Sequence, residues 1–593
     1  HWNNLKPNNN PMHIMTMKRY ITLLPALLIA ASAVAQTATN DTINRMVLVE
    51  STYNPIISGA TKHQFIPGEV EPSIKKSDIV YAQEGIPITQ FDRRALPATS
   101  QPITTAKGLP GYLHLGYGNY NNTDVLATYN LHFGQRHALS FSTALQGWNG
   151  KLPTPSNDNK WSSYLYQTTA NAAYRLTLDA VELGAALNFG QHWLNYFTSS
   201  SFLPTTHTYI PYTYETDHQQ STHLDGHFYV KGDIKERFQY IVATGYSHIS
   251  QQAYAGMHQG HGENHFSTSA TLSMRFNEQH AAILGIHSDM LAYNHPNKHE
   301  DVNYWGLTPQ WRGTFGHYQL TAGLNVDFSG QTGQRFKVSP ACSFSYNAGR
   351  NFTAALTLDG GRQLATYSTL ATLSPYWYAE SPLSAAYTLI NARLEGNVRL
   401  TEGLHLHLNG GYRITENNLF ETGAVENNIL YTGFATADAQ AAYGGGKLSY
   451  DYKQLFTCYA EGTYTHWMVD NDYRYLLARA PQLDTRAGAS LHILNGFTAT
   501  ADLRYLLFCP FNWDDIPYGN NMPGSSLEWP SGVADNPLRE APIFDLSLGL
   551  RYALNKHWTI TLDGHNLLNR HYQIYNSYSA QGIHALAGAT YKF

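Results

Sequence analysis

Between residues 111 and 593 apolar and polar side chains alternate with a period of two, hairpin after hairpin. Val125, Ala127, Tyr129, Leu131 and Phe133 share one face, while Asp124, Thr128, Asn130 and His132 share the other. Gly134-Gln135-Arg136-His137 turns the chain, and Leu139, Phe141, Thr143 and Leu145 answer against Ser140, Ser142 and Gln146. Successive side chains of a strand point to opposite faces, so this pattern is a strand with one apolar and one polar surface. The unit recurs at 161–176 and 181–195 around a turn at 177–180, at 266–276, 305–315, 336–346, 389–400, 484–493 and 544–552. It also forms the last segment. Ile583, Ala585, Ala587, Ala589, Tyr591 and Phe593 alternate with His584, Leu586, Gly588, Thr590 and Lys592.

The connections alternate in length. Short turns such as 277–280, 316–318, 347–350, 401–403, 494–496 and 553–557 take turns with long Gly-, Pro-, Asn- and His-rich stretches. The long ones run over 149–160, 196–220, 251–264, 362–386, 415–429, 469–482 and 509–540. Short turns on one rim and long loops on the other are the plan of outer-membrane barrels. Closing the sheet removes its edges, and in lipid only closed barrels or helices satisfy every backbone group. The expected fold is therefore all-β: a transmembrane antiparallel outer-membrane β-barrel of about 22 strands over 111–593. The turns would be periplasmic and the loops extracellular, with the last strand pairing to the first near 111–118. The count is least clear over 435–467, where Gly444-Gly445-Gly446 reads as a bulge or a turn. The apolar face would meet outer-membrane lipid and lipopolysaccharide.

Composition agrees. Charged residues make up 14 % of the chain, against about a quarter in ordinary globular proteins. Aromatics reach 13 %, with 42 Tyr and 11 Trp, as aromatic girdles require. The net charge of -5 is far from that of a nucleic-acid binder. The cysteines Cys342, Cys458 and Cys509 are too scattered for a disulfide framework.

Residues 1–35 read as an upstream extension (1–16) and a signal peptide that starts at Met17. Lys18 and Arg19 give its positive region, 21–31 an apolar core too short to span, and Ala33-Val34-Ala35 a cleavage site before Gln36. Removing Lys6, Lys18 and Arg19 makes the exported chain three units more negative. Residues 36–110 carry Pro55, Pro67, Pro72, Pro87, Pro97, Pro102 and Pro110, a density that forbids central strands and long helices. They are expected to form a lumenal or periplasmic segment.

Asp563-Gly564-His565-Asn566-Leu567-Leu568-Asn569-Arg570-His571-Tyr572, followed by a loop and an Ala585-to-Phe593 finish, resembles the C-terminus of TonB-dependent outer-membrane receptors. Met46-Val47-Leu48-Val49-Glu50-Ser51-Thr52-Tyr53-Asn54-Pro55 resembles the leader of related barrels of the Bacteroidetes type. The resemblance implies a receptor barrel that takes up a small molecule or oligosaccharide, with TonB as a possible partner and 45–50 as a weak TonB-box-like stretch. It also implies that Tyr591 and Phe593 carry the signal read by the barrel-assembly machinery. The chain departs from that family at 36–110, which is shorter than a full plug and lacks its glycine-rich pattern.

Candidate chemistry is sparse. His258, His261 and His265, with Glu263, fall in one expected long loop, and His295 and His299 in another; imidazoles at such spacing can hold a transition metal. Chance clustering is the commoner reading in a chain with 28 His. Trp377, Trp513, Trp529, Tyr376 and Tyr378 could stack on sugars, although ordinary rim and loop packing is the commoner reading. No nucleophile elbow, zinc-protease helix or P-loop is present, so no catalytic residues and no cofactor are expected. Uptake across the outer membrane is the favoured function. A passive porin-like channel or a structural barrel of an envelope complex is the alternative, and an outer-membrane hydrolase a more distant one.

Overall fold

The structure, a computed structural model, describes residues 109–153, 160–198, 214–294, 299–330, 335–349, 351–427, 429–453, 455–494, 496–510, 540–576 and 578–593. The signal peptide, the Pro-rich segment to residue 108, Trp513, Trp529 and His295 lie outside the described residues.

One antiparallel sheet of 24 hydrogen-bonded segments closes on itself. Phe336–Pro340 and Cys342–Asn347 are two pieces of a single strand, and the two-residue Phe197–Thr198 does not cross the wall. The barrel therefore has 22 strands. Each crossing strand pairs with its sequence neighbours, and the seam joins Gly111–Gly118 to His584–Lys592, with Tyr112 opposite Lys592 and Gly118 opposite Leu586. At its end the Gly111 N–H donates to the Phe593 carbonyl at 3.1 Å and the Phe593 N–H donates back at 3.0 Å.

The period-two pattern has a direct spatial meaning. Leu187, Leu394, Leu408, Leu448, Ile560 and Leu562 point outward and stay exposed all round the wall. So much contiguous apolar surface has no place in water, and it suits the lipid around an outer-membrane barrel. Ile583, Tyr591 and Phe593 belong to this face, as expected. Near the short turns Phe593 stacks on Tyr129 at 5.7 Å and Tyr591 on Trp558 at 4.8 Å, part of an aromatic girdle.

The inner wall is polar and internally paired. His265 meets Asp289 at 2.8 Å, Arg393 meets Glu395 at 3.0 Å and Lys447 meets Glu461 at 3.1 Å. A polar recess of about 470 Å³ is lined by His407, Asn409, Lys447, Glu461, Asp484 and Arg486.

Three expectations change. Gly444-Gly445-Gly446 is neither bulge nor turn: it lies in register between Gly410-Asn409-Leu408 and Tyr464-Thr463-Gly462. Glycine is needed there because a Cβ on Gly445 would come within 2.5 Å of the Gly462 carbonyl. The stretch 415–429 is mostly not a loop. Leu404–Glu426 and Ile429–Tyr452 are strands of 23 and 24 residues, with two residues of sequence between them. His261 and His265 sit on strand His261–Arg275, not in a loop. In both places polar residues continue the strand beyond the lipid, where nothing enforces apolar alternation.

Candidate ligand-binding face

Described parts of several long connections meet at the tip of the 404–452 hairpin. Its residues Ile429 and Leu430 pair with Thr198 and Phe197. Thr432 donates its N–H to the Tyr376 carbonyl and accepts from the Tyr378 N–H, each at 3.0 Å. The Tyr578 hydroxyl donates to the Leu430 carbonyl at 2.6 Å. The ring of Tyr578 lies flat on Tyr376, centroids 3.5 Å apart. Leu152, Trp161, Leu194, Tyr196, Phe197, Ile429 and Tyr431 belong to the same buried cluster. A single apolar cluster thus ties together connections that are far apart in sequence.

Beside it, the helix Tyr367–Leu373 is capped by the Thr366 hydroxyl, which accepts from the Thr369 N–H at 3.0 Å. The buried carboxylate of Glu263 accepts from the Tyr367 N–H, also at 3.0 Å, and fixes where the helix starts. Trp377 packs on Tyr367 with centroids 4.9 Å apart.

A second junction centres on Arg479, at the end of the 3-10 segment Asn471–Arg479. Its buried guanidinium meets Glu421 at 3.3 Å and Glu540 at 4.0 Å, lies 4.6 Å from the Phe508 ring centre, and donates to the Ile574 carbonyl at 3.1 Å. Burial raises the Glu540 carboxyl above the usual carboxylate range, against the pull of Arg479 and with some help from Glu421.

The candidate histidines are not brought together. The His258 N–H donates to Glu215, and the His261 ring is buried among Tyr254, Trp377 and Tyr367 at 5.0, 5.4 and 5.8 Å. His265 pairs with Asp289 on the inner wall. Four strand steps of about 3.3 Å separate His261 from His265 by about 13 Å, far beyond two ligands of one ion. Among the described residues no group of three or more His, Cys, Asp or Glu is placed to hold a metal. Trp377 and Tyr376 are buried, as packing requires, and only Tyr378 keeps an exposed edge.

No protein-family model matches the chain, and no curated protein matches it. Solved structures do. The FrpB iron transporter of Neisseria meningitidis superposes with a TM-score of 0.61 at 12 % identity, covering 82 % of this chain and 83 % of that one. The ferric enterobactin receptor of Pseudomonas aeruginosa in complex with enterobactin gives 0.60 at 11 %, covering 82 % and 81 %. The copper transporter OprC gives 0.57 at 12 %, covering 82 % and 80 %. The barrel has the receptor fold. At these identities the likeness extends to architecture and no further.

Sequence reasoning did not single out Arg479, Tyr254, Tyr431 or Tyr578. Arg479 offered a faint signal, an isolated cation between Leu477 and Ala480. Tyr254, Tyr431 and Tyr578 are three among 42 Tyr, and nothing local marks them.

Proposed function

We propose that this chain is an outer-membrane uptake barrel that captures a small ligand on its long-loop face and passes it along the polar inner wall. The observation that carries this reading is the closed barrel with an apolar exterior, a charged and self-paired interior, and aromatic connections gathered over one mouth. The chain is exported through the signal peptide at 17–35 and takes the orientation of its fold, with turns in the periplasm and loops outside. Residues 36–110 do not serve as a full plug, in a receptor-like barrel of the Bacteroidetes type. TonB is its energising partner, and the protein is not an enzyme. Supporting the transport reading, the structural neighbours are named as receptors and transporters for iron, ferric enterobactin and copper.

The test is conductance together with uptake. Purified full chain in a planar bilayer stays closed, and uptake by cells stops when the energising protein is deleted. Steady open conductance with uptake indifferent to that deletion would establish the passive channel instead.

A further inference from the structure

Within the loop cluster and at its side three tyrosines form a continuous stack. Tyr254 lies on Tyr378 at 5.5 Å and 30°, and Tyr378 on Tyr431 at 4.8 Å and 28°. The Tyr378 hydroxyl donates to that of Tyr254 at 3.4 Å, and the Tyr254 hydroxyl donates to the Glu380 carbonyl at 3.3 Å. Glu380 and Glu426 stand exposed beside the stack. The charged side chains that act on Tyr254 and Tyr378 are both carboxylates, Glu380 and Glu426. Burial, with those charges adding to it, holds both hydroxyls protonated above the usual tyrosine range.

At the foot of the stack the Tyr431 hydroxyl has no hydrogen-bond partner among the described residues, although the residue is only 2 % exposed. An unmet buried hydroxyl costs about 1–3 kcal/mol, so its position calls for a polar group that arrives from elsewhere. Aromatic faces attract cations placed within about 6 Å of the ring centre. Carboxylates at the rim supply the counter-charge and repel anions.

We propose that this stack is a binding site for an organic ammonium ligand. The cation sits against Tyr254 and Tyr378, Glu380 and Glu426 neutralise it, and an ammonium N–H donates to the Tyr431 hydroxyl. The proposal rests on the long-loop face being the ligand-capturing face and deepens that reading by giving the sign and type of the ligand.

The experiment is calorimetric titration of the full chain in nonionic detergent at pH 7 with benzylammonium, benzyltrimethylammonium and benzenesulfonate. Both cations bind saturably and the sulfonate does not. The exposed double change Glu380→Gln with Glu426→Gln weakens the cations at least tenfold. Tyr431→Phe weakens benzylammonium and leaves benzyltrimethylammonium, which has no N–H, unchanged. Sulfonate binding as tight as that of the cations, wild-type affinity in the double variant, or no saturable cation binding overturns the site. Equal loss of both cations in Tyr431→Phe overturns the role of its hydroxyl. Intact cation binding in a protein that shows no uptake would sink the transport reading and leave the site standing.

Discussion

Asn122 and Gln581 face each other through a reciprocal amide pair. The Asn122 Nδ2 donates to the Gln581 Oε1 at 2.7 Å, and the Gln581 Nε2 donates back to the Asn122 Oδ1 at 3.3 Å. Both side chains are buried, at the loop end of the seam between the first and last strands. The Asn-Leu-x-Asn-x-x-Tyr run supplies the rest of this fastening. The Asn566 Nδ2 donates to the Arg570 carbonyl at 2.9 Å and to the Gln581 carbonyl at 2.8 Å. Asn566 and Asn569 adopt φ of 46° and 47°, a region asparagine tolerates better than most residues. The motif that resembled a family signature is thus turn and seam chemistry.

Replacing Asn122 with Leu strands the Gln581 amide, at a cost of about 1–3 kcal/mol. The expected outcome is a lower midpoint for loss of the heat-modifiable band on gels. Replacing both residues with Leu recovers most of that loss, since removing both partners spares the unmet group. No recovery in the double variant would assign the effect to packing.

Arg479→Met leaves Glu421 and Glu540 facing each other without a cation, and breaking such a buried pair costs about 3 kcal/mol or more. Glu540 already has a raised folded pKa, and losing Arg479 raises it further. A carboxyl raised on folding favours the folded loops at low pH. That stability is lost as pH climbs from the ordinary carboxylate range through the folded value. The variant's loops are therefore cut faster by protease at pH 8 than at pH 5, beyond the protease's own pH dependence on an unfolded substrate. Equal corrected rates would contradict the pairing.

Phe593→Ala removes the ring that stacks on Tyr129 but keeps both backbone bonds to Gly111. If Phe593 carries the assembly signal, the amount of heat-modifiable protein in the outer membrane falls severalfold, while Tyr129→Ala, which breaks the same stack, leaves that amount near normal. A charge at Tyr591, near the lipid interface, costs only about 0–1 kcal/mol, so a large drop for Tyr591→Asp would also point to recognition. Equal losses in Phe593→Ala and Tyr129→Ala would reduce the role to packing.

Gly445→Val pushes a side chain into the Gly462 carbonyl and the Thr463 hydroxyl, and overpacking of this kind costs about 1–3 kcal/mol. Gly396→Ala, whose Cβ would meet nothing within 4 Å, is the control. Assembly yield falls for the first and holds for the second.

Where bilayer and lumen press on opposite faces, the strands are legible in the chain. Val125 through Phe133 and Ile583 through Phe593 could be placed on their faces from spacing alone. Above the lipid that constraint lapses. Asn417, Asn418 and Glu421 read as loop because their polarity no longer reports which way they point, although they continue a strand or its bulge. The tyrosine stack was illegible as a unit for a related reason: Tyr378 stood out only as one loop aromatic, and Tyr254, Tyr378 and Tyr431 are more than fifty residues apart at the nearest and meet only through tertiary contacts. The histidines misled because spacing suited to a loop was stretched along a strand.

The long hairpin has a mechanical consequence. About 9–11 tilted residues cross a membrane, so its 23-residue strand has about a dozen residues to spare, a mast about 40 Å long at about 3.3 Å per residue. The stays of that mast are Phe197, Tyr376, Tyr378 and Tyr578, each lashed to its top between Ile429 and Thr432. A molecule that leans on any one stay pulls the mast, and the mast pulls the others. These described connections therefore answer touch as one rigging and not as separate loops.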